Sequence, residues 1–131
     1  MHTKILLVDD DQVFRSFLRR LLEKEQHFSV VGEAGDGVEA VEQTRALSPD
    51  LILMDLGMPR VNGLEATLRI KAERPETKVI ILSQHEEDVY RQAAAQSGAD
   101  TFLTKTTRLA DLVTTIRQLT EGGPDEPGAS P

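Results

Sequence analysis

Asp55 is the residue on which the chemistry of this chain converges. It ends the run Leu51-Ile52-Leu53-Met54-Asp55, where four apolar residues lead without a break into a lone carboxylate. A run this short and this apolar predicts a strand buried on both faces, in the middle of a parallel sheet. A carboxylate at the C-terminal end of such a strand stands where open α/β sheets place their ligands. Three more runs end the same way. Ile5-Leu6-Leu7-Val8 leads into Asp9, Asp10 and Asp11, Lys78-Val79-Ile80-Ile81-Leu82 into Ser83, and Thr101-Phe102-Leu103 is followed closely by Lys105. Each group alone has a plain explanation: a helix cap for the acidic run, an exposed loop for Ser83 or Lys105. In a parallel sheet, however, all C-terminal ends share one edge, so these groups converge although they are scattered in sequence.

Crowding then dictates the chemistry. Two carboxylates about 4 Å apart repel by roughly 4 kcal/mol at an effective dielectric near 20. Asp9, Asp10 and Asp55 together therefore need cations. Hard oxygen ligands suit Mg²⁺, which keeps several waters and often shares its shell with a phosphate. Lys105 adds a fixed positive charge. A divalent ion and a lysine flanking one carboxylate suit phosphoryl transfer, because both neutralise charge on the moving group. Asp55 is then the nucleophile and forms an acyl phosphate. The Ser83 hydroxyl can donate to a phosphoryl oxygen.

The rest of the chain must place these residues. After the first strand, Val13, Phe14, Phe17, Leu18, Leu21 and Leu22 form two i, i+4 rows and predict an amphipathic helix with Asp11 as N-cap. Arg15, Arg19, Arg20 and Lys24 are expected on its solvated side. Residues 28–33 form the next strand. Asp36 with Glu39, and Asn62 with Glu65, have the spacing of a capping box and open the second and third helices. Ser48-Pro49 stops the second helix. A fourth helix is expected from about Glu86 to Gln96, closed by Ser97-Gly98. The last carries Leu109, Leu112, Val113, Ile116 and Leu119. Five β-α units with short connections imply an α/β fold: a doubly wound, five-stranded parallel sheet with right-handed crossovers and strand order 2-1-3-4-5. Residues 1–121 make one domain. Residues 122–131, Gly-Gly-Pro-Asp-Glu-Pro-Gly-Ala-Ser-Pro, read as a flexible tail or the start of an interdomain linker.

Bulk properties narrow the class. The 131 residues suffice for one real core, and the formal net charge of −7 argues against this domain holding nucleic acid by phosphate contacts. With no cysteine there is neither a disulfide nor thiolate chemistry, and a reducing, cytoplasmic setting is expected. The start, Met1-His2-Thr3-Lys4, runs straight into a strand without the look of a leader, and no stretch is long enough to span a bilayer. His2, His27 and His85 have no spacing suited to a shared metal and are expected at the surface.

Taken together, Leu7-Val8-Asp9-Asp10, Met54-Asp55-Leu56-Gly57-Met58-Pro59 with Asn62-Gly63, Leu82-Ser83, and Gly98-Ala99-Asp100-Thr101-Phe102-Leu103-Thr104-Lys105 resemble the receiver domain of two-component response regulators. The resemblance covers about Lys4 to Glu121, and Met58 to Ala66 looks most like the NarL/FixJ (LuxR-type) subfamily. It implies a flavodoxin-like, CheY-like (βα)5 fold and a phosphoacceptor that promotes its own phosphorylation and dephosphorylation without being an enzyme in the ordinary sense. It further implies that Asp55 accepts phosphate from a sensor histidine kinase. Asp9, Asp10, Asp55 and the backbone carbonyl of Gly57 would hold Mg²⁺, and Lys105 would contact the phosphate. Ser83 matches the switch hydroxyl and Phe102 the switch aromatic. Ser83 would move toward the phosphate and Phe102 would turn inward, remodelling the face of the fourth helix, fifth strand and last helix, with homodimerisation as one result. In the subfamily a helix-turn-helix DNA-binding domain follows, so transcription is the implied output; a stand-alone receiver or phosphorelay module is the alternative. The chain departs from the common pattern at Thr106, where many members have proline, and at Ser83, where threonine is commoner.

Three rival readings compete. One is a receiver that no longer takes phosphate and serves only as a docking module, against which all acceptor-site residues are present. Gly35-Asp36-Gly37-Val38-Glu39-Ala40 fits the G-x-G-x-x-A of dinucleotide-binding folds, but it leaves Asp9, Asp10, Ser83 and Lys105 without a purpose. Asp9-Asp10-Asp11 can be read as the D-x-D of a haloacid-dehalogenase-type phosphohydrolase, with Asp9 as nucleophile and Asp55 as a mere ligand.

Overall fold

The apolar runs become five strands and the periodic stretches between them five helices. A computed structural model describes residues 2–121, so the expected tail at 122–131 lies outside the described residues. The order is β1 (Thr3–Val8), α1 (Gln12–Glu23), β2 (Phe28–Ala34), α2 (Gly37–Leu47), β3 (Leu51–Asp55), α3 (Gly63–Glu73), β4 (Lys78–Ser83), α4 (Asp88–Gln96), β5 (Thr101–Thr104) and α5 (Leu109–Thr120). All strand pairs are parallel, and the sheet order is β2-β1-β3-β4-β5, as the β-α alternation predicts. β3 is central, and every one of its residues is buried.

Alternation along the strands splits the core in two. Leu6, Val8, Ile52, Met54, Val79 and Ile81 face α2, α3 and α4. Ile5, Leu7, Leu51, Leu53, Ile80 and Leu82 face α1 and α5. Asp55 pairs with Leu82 across the β3–β4 ladder, so Ser83 lies one position further along. By the two-residue period of a strand, Asp55 continues the Leu51, Leu53 series, whereas Ser83 continues the Val79, Ile81 series. Phe102 packs on the same layer as Val79 and Ile81.

The caps behave as their residue types dictate. Asp11, Asp36 and Asn62 each accept a hydrogen bond from the backbone N–H three residues on, at 3.1, 2.8 and 3.0 Å. Glu39 reaches back to the N–H of Gly35 at 2.7 Å, one residue before the cap. Glu65 does not reciprocate and pairs with Arg69 instead. α4 ends in a Schellman arrangement: Gly98 at φ 96° donates to Ala95, and Ala99 donates to Ala94.

Three expectations need correction. α4 begins at Asp88 and not near Glu86, and its N-cap Glu87 makes no side-chain cap. The apolar stripe of α1 is wider than the face it buries. Leu18 and Leu22 enter the core, but Val13 and Phe17 are 80% and 58% exposed. A helix laid on a sheet can press only one arc against it, and the second row lies outside that arc. Arg15 and Arg19 are not on a free solvated face either. Both pair with Glu33 of β2, at 2.7 and 2.5 Å.

Candidate functional site

The C-terminal edge of the sheet gathers the residues that the sequence scatters. Asp9 and Asp55 are 4% and 8% exposed, while Asp10 faces solvent. One carboxylate oxygen from each of Asp9, Asp10 and Asp55 lies within 4.8 Å of the others. Lys105, just beyond β5, places Nζ 2.7 Å from Asp9 Oδ2 and 3.4 Å from Asp55 Oδ1. One lysine therefore serves two buried acids, with a third acid at the rim.

The charge balance follows from that count. Burial, and then the neighbouring charge of Asp9, push the Asp55 carboxyl up to about 6, with Lys105 opposing in part. For Lys105, burial works against the charge, but the hydrogen bond to Asp9 and the field of Asp55 overcome it. Its ammonium is held above the ordinary lysine value. Three hard oxygens this close, with too little positive charge among them, fit a hard divalent cation.

The turn after β1 is pinned by its own acids. Asp9 Oδ1 accepts the N–H of Asp11 at 2.9 Å, and Asp11 Oδ1 accepts the N–H of Phe14 at 3.1 Å. Arg15 donates to the Asp9 carbonyl at 2.5 Å while bonded to Glu33, which ties this turn to β2. The Lys105 ammonium lies 4.6 Å from the centre of the Phe14 ring. Neither Phe14 nor Arg15 was expected at the site. The available signal was their place in the first turn of a helix that opens directly on an acidic run.

The loop from β3 to α3 is held at both ends. The Gly63 N–H donates to the Leu56 carbonyl at 2.8 Å, and a Cβ on Gly63 would fall on the Asp55 carbonyl. Gly37 gives the same clearance to Val61. Arg60, in the left-handed region at φ 63°, reaches Asp36 at 2.7 Å. Gly57 is exposed, and a Cβ built on it meets nothing within 4 Å.

Ser83 is 1% exposed. Its hydroxyl oxygen accepts the His85 N–H at 3.0 Å, and its carbonyl accepts the Lys105 N–H at 2.8 Å. β4 and the lysine are thus joined through the same residue. Phe102 is half-buried, with the Arg91 guanidinium 4.8 Å from its ring centre. His85 is exposed and stacks on Tyr90, and His2 and His27 are exposed as well. The Lys105–Thr106 peptide bond is trans.

The rivals lose their footing here. The G-x-G-x-x-A stretch follows the edge strand β2, and the N-terminus of α2 is closed by Asp36, Glu39 and Val61. Asp11, the second acid of the D-x-D, is spent as a helix cap. Under the acids the cavity is only about 10 Å³, lined by Asp9, Asp55, Phe14, Arg15 and aliphatic neighbours. A larger hollow of about 790 Å³ is lined by Thr3, Asp50, Thr77 and Lys78, at the opposite end of the strands.

Comparison with known proteins agrees with this geometry. Residues 5–117 match the model of the response regulator receiver domain. The transcriptional regulatory protein DegU of Brevibacillus brevis is 38% identical over 120 residues, which cover 92% of this chain and 51% of that protein. The response regulator protein VraR of Staphylococcus epidermidis is 38% identical over 122 residues, covering 93% of this chain and 58% of that protein. This chain thus spans little more than half the length of these relatives. The crystal structure of a LuxR-family two-component response regulator from Aurantimonas sp. superposes with a TM-score of 0.88 at 34% identity, covering 93% of this chain and 87% of that one. A buried acid pair bridged by one lysine at the carboxyl edge of a 2-1-3-4-5 sheet, together with a match over nearly the whole described chain, places this protein in the family of response regulator receiver domains.

Proposed function

We propose that Asp55 accepts a phosphoryl group from a sensor histidine kinase and that Ser83 and Phe102 report its arrival. The observation that carries this reading is the lysine-bridged pair Asp9 and Asp55 with Asp10 at the rim. Asp9, Asp10 and Asp55, with the Gly57 carbonyl, would hold Mg²⁺, which when bound neutralises charge on the transferred group. An Asp55 carboxylate oxygen forms the new P–O bond. The P–N bond of the donor phosphohistidine breaks, and the imidazole leaves with the electron pair and regains a proton from water. Lys105, already beside the attacking oxygen, offers its ammonium to the phosphoryl oxygens. The chain is the site of the reaction and contributes to its making and hydrolysis, without being a separate enzyme.

The switch needs more than one contact. Moving a population from 1:99 to 99:1 takes about 5.5 kcal/mol. One hydrogen bond to a charged group supplies roughly 1.5–3 kcal/mol. Ser83 therefore acts together with Lys105, to which its backbone is bonded. The Ser83 hydroxyl uses only its oxygen, leaving its proton for the phosphoryl group. Its movement would open space for Phe102 on the same layer, altering α4, β5 and α5. By likeness to the transcriptional regulatory protein DegU, the output is transcription. A DNA-binding domain elsewhere in a longer, cytoplasmic protein would carry it, with dimerisation as the intermediate step. No described helix is long and apolar enough to cross a membrane.

The deciding experiment is incubation with Mg²⁺ and a small phosphodonor, read by intact mass. A gain of one phosphoryl group that disappears in Asp55→Asn supports the reading. Absence of the gain, or its retention in Asp55→Asn, overturns it.

A further inference from the structure

The lysine at the centre of the site stands on an aromatic ring. Lysine has a long flexible stem, and holding it in one geometry costs rotamer entropy. Yet the Lys105 side chain is 12% exposed and directed at both buried acids. The Phe14 ring, 4.6 Å from Nζ, supports the ammonium from a third direction. We propose that Phe14 is a positioning residue for Lys105, holding its ammonium over Asp9 and Asp55 and thereby setting the rate at which Asp55 takes a phosphoryl group. The inference rests on Asp55 being the phosphoacceptor.

Phe14 is itself held by the residues it serves. Asp9 receives Lys105 on one oxygen and the Asp11 N–H on the other, and Asp11 receives the Phe14 N–H. The contacts therefore close a ring, Asp9 to Asp11 to Phe14 to Lys105 and back to Asp9. The turn that presents the acids also presents the aromatic face, so ring and ammonium keep their spacing.

The other cations over aromatic rings differ in one respect. Arg117 over Phe28 is 31% exposed, and Arg91 over Phe102 is on the surface. Lys105, at 12%, is the least exposed of the three, and attraction between a cation and a ring grows as water is removed. This contact also differs in kind from those to the acids. To touch a phosphoryl oxygen, Lys105 must loosen its hold on a carboxylate. The ring need not be exchanged, so it keeps the ammonium in place while its anionic partner changes. A leucine or methionine would fill the same half-buried space without offering a π face.

The test uses the full chain as wild type, Phe14→Leu, Phe14→Met, Phe14→Tyr and Asp55→Asn, each checked by thermal melting. Phosphorylation by acetyl phosphate with Mg²⁺ is followed by intact mass, Mg²⁺ affinity by titration, and the Lys105 ε-methylene by proton–carbon NMR. Phe14→Leu and Phe14→Met are expected to slow phosphorylation about three- to tenfold, the size of a partly desolvated cation–π contact. Both should also lose the ring-current shift of the ε-methylene, with Mg²⁺ affinity unchanged. Phe14→Tyr restores rate and shift to near wild type. Wild-type rates in Phe14→Leu and Phe14→Met overturn the proposal, as does a Phe14→Tyr as slow as they are. A parallel loss of Mg²⁺ affinity overturns it too, since the damage would then lie in the acids. A wild-type chain that gains no mass overturns the phosphoacceptor reading itself, whereas normal wild-type gain with indifferent Phe14 variants overturns this inference alone.

Discussion

Lys105 Nζ stands 2.7 Å from Asp9 Oδ2, with both side chains almost withdrawn from solvent. Removing one partner of such a pair strands the other, at a cost of about 3–5 kcal/mol. Lys105→Met in metal-free buffer should therefore lose about 3 kcal/mol of stability in urea titration. Added Mg²⁺ should recover much of the loss, because it replaces the missing positive charge. Equal losses with and without Mg²⁺ would show that the acids do not share a cation.

Asp55 gives the pH dependence. Its carboxyl is held at about 6 against an ordinary 3.8, chiefly by burial and then by Asp9. The folded chain thus keeps this proton more tightly than the unfolded chain. The resulting stabilisation is fully present below about pH 4 and is lost as pH rises through about 6. At about 1.4 kcal/mol per unit, metal-free protein should lose roughly 3 kcal/mol across that window through this group. Asp55→Asn should flatten the profile and be the more stable protein at pH 7. Mg²⁺ binding, which requires the carboxylate, should strengthen across the same range. Denaturant midpoints from pH 4 to 8 check both.

The glycines of the loop after β3 should respond in opposite ways. Gly57 has open space and no left-handed backbone, so Gly57→Ala should stabilise by about 0.4–1 kcal/mol through the unfolded state. Gly63→Ala drives a methyl group into the Asp55 carbonyl and should cost about 3 kcal/mol. It should also weaken Mg²⁺ binding, because the strand end bearing Asp55 must shift. Thermal melting and metal titration of the two variants separate them.

Ser83→Ala removes the acceptor of the His85 N–H and should cost about 1 kcal/mol. Phosphorylation of Asp55 should persist, while the change in α4, β5 and α5 should not follow it. Hydrogen exchange in those elements, with and without phosphodonor, measures the coupling. A wild-type response in the variant would remove Ser83 from the switch.

The architecture was legible because four of the five strands carry a short apolar run and have an acid, a hydroxyl or an amine at or just beyond their end. Topology then collects Asp9, Asp10, Asp55 and Lys105 without knowledge of a single contact. What stayed hidden depends on distance across elements. Arg15 and Arg19 meet Glu33 from a neighbouring strand, and no spacing along α1 can show that. Phe14 reads as core from its period, because periodicity reports which side of a helix is greasy and not which charge passes over it. For the same reason, Val13 and Phe17 look buried in a helical wheel and are not.

Asp55 and Ser83 lie on adjacent strands, one residue out of step, and so on opposite sides of the sheet by strand alternation. On the proposed reading, the acceptor carboxylate and the reporting hydroxyl therefore stand at two adjoining strand ends, one register step apart. Neighbouring strands are about 4.8 Å apart, so the first step of the proposed relay, from Asp55 to Ser83, crosses a single rung of the sheet. From there a displacement at the end of β4 would pass through Phe102, packed on the same layer, to the exterior that α4, β5 and α5 present to a partner.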